Sequence, residues 1–151
     1  MFKKLLIPMV AVSLLSGCSY LGLGTPGPLT APPGPPVAPE PAVSYMLFFD
    51  WDSVKLSDQA TVAIGQAAGV YKQRGATHVD VTGFTDTTGS DAYNTQLALR
   101  RGNVVRDALV RGGVPQTAIT VTSSGEQGLL VPTAQQVREG QNRRVQVVVS
   151  K

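Results

Sequence analysis

The chain has 151 residues, a hydrophobic content of 42% and a formal net charge of +3. This length allows one modest domain and excludes two full ones. The 13 basic residues include Lys3 and Lys4 at the N-terminus, and the other 11 nearly balance 10 acidic residues. The charge therefore excludes the basic surface that nucleic-acid binding requires.

Residues 1–17 have the layout of a secretory signal peptide. Lys3 and Lys4 precede about a dozen mostly apolar residues and then small residues. The apolar stretch is short for a membrane span. The alternative is a buried N-terminal helix, and Pro8 inside the apolar stretch argues against it.

Cys18 is the single cysteine and ends the sequence LSGC at 15–18. A lone cysteine in an exported chain leaves three alternatives: a free thiol, an intermolecular link or a modified residue. The stretch resembles a bacterial lipobox, in which the cysteine carries acyl chains such as palmitate, and two or more chains anchor a protein stably. With Ser19 next, this resemblance implies a lipid-anchored outer-membrane protein whose remaining residues face the periplasm.

Residues 18–44 are predicted to be a proline-rich, disordered linker. Eight prolines lie between Pro26 and Pro41, among few large apolar residues. Such a segment buries too little apolar surface to fold and forms an extended, semi-rigid spacer. A ligand for a proline-recognition domain is the alternative, but the basic flanking residues typical of such ligands are absent.

The folded domain is predicted for residues 45–151. Apolar or alternating patterns predict four strands, at residues 45–49, 77–84, 118–123 and 143–149. Helical spacing predicts one helix between the N-cap Ser57 and Gly75, and a second from about Asp91 to Val110. The order of elements predicts an α+β fold, a two-layer sandwich of helices on a mixed four-stranded sheet.

The residues argue against enzymatic and metal chemistry. The sequence FFDWDSV at 48–54 places two acids after an apolar strand, as haloacid-dehalogenase-type phosphatases do, but the downstream acidic pair that this chemistry needs is absent. His78 is the single histidine, so neither a catalytic triad nor a set of metal ligands can be assembled. We predict no catalytic residues, no metal and no cofactor.

A charged pair stands out in the sequence GFTDTTGSDAYNTQLALRRG at 83–102. Arg101 lies four residues after Leu97 and four before Val105, which places it on the core-facing stripe of the second helix. A buried guanidinium needs a partner or a ligand. Spacing alone leaves two alternatives open, an internal salt bridge with Asp86 or a ligand held by both side chains.

This stretch, with YMLFFDWDSVKLS before it and GEQGLLVPTAQQVREGQNRRVQVVV after it, resembles the OmpA-like peptidoglycan-binding domain across residues 45–151. The resemblance implies non-covalent peptidoglycan binding, without enzymatic activity, by a lipoprotein similar to the peptidoglycan-associated lipoprotein. Such a protein tethers the outer membrane to the cell wall, and Tol-system proteins are further candidate partners. The alternative is an envelope scaffold or Tol-Pal-type interaction module that does not bind the wall directly.

By this resemblance, Asp86 and Arg101 hold the diaminopimelate of the peptidoglycan stem peptide. Its free end carries an ammonium for the carboxylate and a carboxylate for the guanidinium fork. Lysine-type stems lack that carboxylate, so charge complementarity would discriminate between the two wall types. The predicted ligand contacts also include Asn94 and Thr87, with Leu97, Asn142 and Arg143 in supporting positions.

Two residues depart from the usual family pattern in the second helix. Ala98 stands where serine is usual, which removes a hydroxyl. Gly102 replaces the usual alanine, and glycine costs about 1 kcal/mol of helix stability relative to alanine. Neither change affects the charged pair.

Overall fold

The computed structural model describes residues 40–151. The predicted signal peptide, Cys18 and most of the predicted linker lie outside the described residues. Between residues 40 and 151, no helix combines the length and the hydrophobicity that a membrane span requires.

The described residues form an α+β domain. In chain order, its elements are β1 (Val43–Phe48), α1 (Asp58–Arg74), β2 (His78–Phe84), α2 (Asp91–Arg111), a 3-10 turn (Gln116–Ala118), β3 (Ile119–Gly125) and β4 (Arg144–Ser150). The predicted strands and helices are confirmed, with ends that differ by one or two residues. β1 begins at Val43, two residues before the predicted start of the domain.

The four strands form one mixed sheet in the order β1-β4-β2-β3. β4 is central and antiparallel to both β1 and β2, whereas β2 and β3 are parallel. A parallel pair needs a crossover connection, which α2 provides. The predicted two-layer arrangement of helices on a mixed sheet is therefore confirmed.

The core lies between the helices and one face of the sheet. Alternation along the two central strands buries Val79 and Val81 on β2, as predicted, together with Val145, Val147 and Val149 on β4. Small and branched side chains from the helices cover them, including Ala60, Ile64 and Ala67 of α1 and Val105 and Leu109 of α2.

Both helices begin at serine caps. The Ser57 hydroxyl accepts a hydrogen bond from the backbone N–H of Ala60 at 3.1 Å, and Ser90 accepts one from Tyr93 at 3.2 Å. Gly75 ends α1, as predicted. The Ser90 cap fixes the start of α2 directly after the turn that carries Asp86.

β2 and α2 approach each other closely near the charged pair. A Cβ atom on Gly83 would lie 2.2 Å from the backbone oxygen of Ala98, so only glycine fits at this position of β2. The close contact brings the turn after β2 against the first half of α2. Gly83, the first residue of the sequence GFTD at 83–86, therefore has a structural role in placing Asp86 beside the helix that carries Arg101.

Candidate functional site

A cavity of about 210 Å³ lies between the turn after β2, the first half of α2 and the loop after β1. Asp86 and Arg101 both line it, and Arg143 adds a second positive charge. Pockets for drug-sized molecules begin at roughly 300 Å³, so this cavity suits a smaller group such as the tip of a side chain. The structure thus brings the two predicted charged residues to one hollow.

Arg101 is fully buried, with 0% of its surface exposed. Its Nε donates to the backbone oxygen of Ser53 at 2.8 Å and its Nη2 donates to that of Asp50 at 2.9 Å. Its Nη1 donates to the backbone oxygen of Phe84 at 3.3 Å. Three neutral carbonyls therefore hold the guanidinium, and the loop after β1 supplies two of them.

The electrostatic state of Arg101 follows from this burial. Loss of hydration, together with the nearby charge of Arg143, lowers the pKa of Arg101 to about 10, so the side chain stays charged at neutral pH. A guanidinium has five N–H donors and the carbonyls use three. One N–H on each terminal nitrogen is left for a further acceptor.

Asp86 is 3% exposed and accepts hydrogen bonds on both carboxylate oxygens. Oδ1 accepts from the backbone N–H of Thr88 at 3.3 Å and from the Thr88 hydroxyl. Oδ2 accepts from the backbone N–H of Glu139 at 3.3 Å and from Nη1 of Arg143 at 3.1 Å. The ion-pair partner of Asp86 is therefore Arg143, and the internal pair with Arg101 considered from the sequence does not form.

These contacts decide the charge on Asp86. Burial alone would raise the pKa of Asp86, but the hydrogen bonds from Thr88, Arg143 and Glu139 together outweigh burial and lower it below its usual value. Asp86 is therefore ionised at neutral pH. The cavity offers a negative and a positive group that are not paired with each other.

Asn94 and Leu97 line the same cavity from α2. Both belong to the buried stripe that carries Arg101. The Nδ2 atom of Asn94 donates to Glu126 Oε2 at 3.1 Å, which leaves its carbonyl oxygen without a protein donor in the described part of the chain. These two predicted residues stand at the cavity wall.

Thr87 connects two segments of the backbone beside the cavity. It is buried, but it is not among the residues that line the cavity. Its hydroxyl donates to the backbone oxygen of Ala134 at 2.7 Å, and its own backbone oxygen accepts from Gln136 N–H at 2.9 Å. Thr87 therefore fastens the turn after β2 to the segment between β3 and β4. A ligand contact through its backbone N–H, as expected from the sequence, stays a prediction.

Asn142 and Arg143, the predicted supporting residues next to β4, form hydrogen bonds with the backbone of other segments. The side-chain amide of Asn142 pairs with the backbone of Val131, accepting from its N–H at 2.9 Å and donating to its oxygen at 2.8 Å. Arg143 Nε donates to the backbone oxygen of Phe49 at 3.2 Å while its Nη1 binds Asp86. Arg143 thus connects the end of β1 to the acidic side of the cavity.

Several lining residues were not predicted from the sequence. Trp51, Asp52 and Tyr93 line the cavity, and the Tyr93 hydroxyl donates to Asp52 Oδ1. This hydrogen bond raises the pKa of Tyr93. Thr85 and Thr88 also line the cavity. The signal for the two threonines was their place within two residues of Asp86, but a threonine in a turn carries no distinctive pattern.

A wider depression of about 720 Å³ shares Arg143 with this cavity. Its lining mixes Lys55 with Asp58 and Glu139, so no single charge dominates. Within residues 40–151, no three His, Cys, Asp or Glu side chains come together in a way that could hold a metal ion.

Comparison with known proteins gives consistent matches. The OmpA family model matches residues 48–143. An outer membrane protein of Gluconacetobacter diazotrophicus is 39% identical over 118 residues, which are 74% of this chain and 31% of that protein. The putative lipoprotein YfiB of Escherichia coli is 32% identical, with 99% of both chains covered.

A solved structure agrees with these matches. The crystal structure of the peptidoglycan-associated lipoprotein from Burkholderia pseudomallei superimposes with a TM-score of 0.64 and 30% identity, and the match covers 70% of this chain and 89% of that one.

Proposed function

This chain belongs to the OmpA family, and on that premise we propose that its domain binds peptidoglycan non-covalently in the cell envelope. The proposal is supported by the similarity to a peptidoglycan-associated lipoprotein and to outer-membrane proteins. The role is binding without catalysis. The more specific proposal is that the cavity holds the free end of diaminopimelate in the stem peptide.

One observation carries this proposal: Asp86 and Arg101 are both buried, line the same cavity of about 210 Å³ and are not paired with each other. A cavity with opposite charges suits a ligand that carries both charges on one carbon. The free end of diaminopimelate is such a group, since its ammonium and carboxylate are attached to the same atom. Leu97 offers an apolar contact to the methylene chain behind it.

Arg101 would take the ligand carboxylate. Its two remaining N–H groups, one on each terminal nitrogen, match a bidentate carboxylate contact. The three backbone carbonyls fix the guanidinium before the ligand arrives, so little side-chain entropy is lost on binding. A stem peptide with lysine has no carboxylate at this end and would leave the buried cation without an anion.

Asp86 would take the ligand ammonium, and this step requires a local change. A carboxylate has about four acceptor positions, and protein donors occupy four on Asp86. Of these donors, only the Thr88 hydroxyl can rotate away without moving backbone or breaking an ion pair. The ligand ammonium therefore replaces the Thr88 hydroxyl as a donor to Oδ1.

The wider proposal places the domain on a lipid anchor. Signal peptide removal before Cys18, lipidation of that residue and a spacer up to the start of β1 would hold the domain in the periplasm at the outer membrane. A tethered module beside a repeating polymer reaches effective concentrations of the order of millimolar, so modest affinity suffices. Tol-system proteins remain predicted partners. Replacement of Cys18 by serine should release the protein from membranes, as measured by fractionation.

Sedimentation with purified diaminopimelate-type sacculi tests the site. We expect wild type to sediment, and Asp86→Asn and Arg101→Lys to stay largely in the supernatant. Arg111→Ala is the matched control, because Arg111 is exposed in the last turn of the same helix, away from the cavity. Circular dichroism would verify that each variant is folded. Equal sedimentation of all four proteins would reject the site and favour an envelope scaffold.

A further inference from the structure

Thr85 has a polar atom that the protein leaves unused. The residue is 2% exposed and lines the cavity. Its hydroxyl oxygen is buried and has no hydrogen-bond partner among residues 40–151. Its neighbours in the chain are both part of the site, because the Phe84 backbone oxygen accepts from Arg101 and Asp86 is the buried acid.

The other hydroxyl groups around this turn are all engaged. The Thr88 hydroxyl donates to Asp86 and the Tyr93 hydroxyl donates to Asp52. The Thr87 hydroxyl donates to the backbone oxygen of Ala134. A buried hydroxyl without a partner destabilises a folded protein, so most buried polar groups are hydrogen-bonded. Thr85 is thus the exception among these hydroxyl groups, and it belongs to a residue that lines the cavity.

We infer that the Thr85 hydroxyl donates a hydrogen bond to the ligand carboxylate and acts as a specificity determinant beside Arg101. This inference rests on the proposed function. A carboxylate offers about four acceptor positions, and Arg101 has two N–H groups left for it. A third donor would fill one of the two acceptor positions that Arg101 leaves open on a buried carboxylate. Asp86 is already surrounded by four donors, so the acidic side needs no donor from Thr85.

The inference gives Thr85 a role in distinguishing stem peptides. Because lysine-type stems lack the carboxylate at this end, the Thr85 hydroxyl would have no acceptor in a complex with them. Loss of the hydroxyl should therefore weaken binding of the diaminopimelate stem and leave binding of the lysine stem unchanged. If the hydroxyl only supported the structure of the cavity, its removal would instead weaken binding of both stem peptides.

Two variants and two peptides test this inference. Thr85→Val removes the hydroxyl at nearly constant shape, and Thr85→Ser retains it. Isothermal titration with two synthetic stem peptides that differ only in diaminopimelate or lysine measures the affinities, and thermal unfolding without ligand measures stability. We expect Thr85→Val to bind the diaminopimelate peptide roughly tenfold or more weakly. We also expect it to unfold at a higher temperature, since an unpaired buried polar group is removed. Thr85→Ser should bind as wild type does.

The outcomes separate the inference from the proposed function. If wild type does not bind the diaminopimelate peptide, the proposed function fails. If wild type binds it and Thr85→Val binds equally well, only the inference on Thr85 is overturned. Equal weakening toward both peptides would overturn the assignment to the carboxylate. A lower unfolding temperature for Thr85→Val would show that the hydroxyl has a partner within the protein, against the inference.

Discussion

The two halves of α2 bury the same face of one helix for different purposes. Before Gly102, the buried stripe contains Asn94 and Arg101 and faces the cavity. After it, the stripe contains Val105 and Leu109 and faces the apolar core. The helix is continuous across both halves, so the halves differ only in the polarity of their buried side chains.

The two halves of α2 contribute differently to the stability of the domain. An apolar residue in the second half gains free energy from leaving water. A buried guanidinium in the first half loses hydration, and its direct contacts are hydrogen bonds to neutral carbonyls and the ring of Phe49, with no ion pair to Asp86 or Asp52. This exchange is poor unless an anion joins the guanidinium. Substitutions in the second half should therefore affect folding, and substitutions in the first half should affect binding more than folding.

Leu109→Ala should give the largest effect. Leu109 is fully buried, and truncation of a buried leucine costs about 2–5 kcal/mol because a cavity is left behind. Urea unfolding would measure the loss in unfolding free energy. Sedimentation with sacculi, under conditions where the variant remains folded, should be unchanged. A folded Leu109→Ala variant that fails to sediment would contradict the division of α2 into two halves.

Arg101→Lys should mainly affect binding. Lysine keeps the charge but cannot form the bidentate contact, and a charged hydrogen bond contributes about 1.5–3 kcal/mol, so affinity for a diaminopimelate stem peptide should fall by at least roughly tenfold. Titration calorimetry measures this change. If the loss of unfolding free energy exceeds the loss of binding free energy, then Arg101 is primarily a structural residue.

Asp86, which lines the cavity together with the first half of α2, should make the stability of the protein depend on pH. The pKa of Asp86 is lower in the folded protein than its ordinary value of 3.8, so its contribution is present above that value and is lost as pH falls through the lower, folded-state pKa. Unfolding free energy measured in urea from pH 7 to pH 3 should therefore decline below about pH 4. The decline should be shallower in Asp86→Asn.

The control for this measurement lies in the second half of α2. Asp107 pairs with Arg106 at 2.8 Å on the surface, where ion pairs contribute little. Asp107→Asn should therefore keep the pH profile of wild type. An Asp86→Asn profile that also follows wild type would show that other carboxylates cause the acid sensitivity.

Gly102→Ala should give the smallest effect and tests the junction between the halves. Helix propensity alone predicts a gain of about 1 kcal/mol for alanine. However, a Cβ at this position would lie 2.7 Å from Val121 Cγ1 of β3, and the branched valine has little freedom to move. We expect no gain in unfolding free energy. Gly65→Ala on α1 is the matched control, since nothing lies within 4 Å of its added Cβ, and it should show the gain.

The pattern of the sequence was sufficient to predict the helices and strands and the buried face of α2. Ser57 and Gly75 marked the ends of α1, and the spacing around Arg101 placed it on the core-facing side. These features are local, because a helix period and a cap are read within a few residues. The fold could therefore be predicted nearly in full.

The partners of the buried charges could not be predicted in the same way. Arg101 bonds to the backbone of Asp50 and Ser53, about 50 positions earlier, and every residue has a backbone carbonyl, so the sequence gives no sign of which one is used. Asp86 pairs with Arg143 rather than Arg101 because the segment after β3 returns to this turn. The unpaired hydroxyl of Thr85 is likewise visible only when all neighbours are known.

The path of β1 has a mechanical consequence. The chain enters the sheet at Val43, and the loop that supports Arg101 begins after Phe48, at the opposite end of the same strand. Six consecutive residue pairs with β4 lie between these points. A force that pulls the chain at Val43, while a ligand in the cavity holds the domain back, would act along β1. All the hydrogen bonds between β1 and β4 would then share the force at once. Such shear resists rupture better than bonds opened one after another.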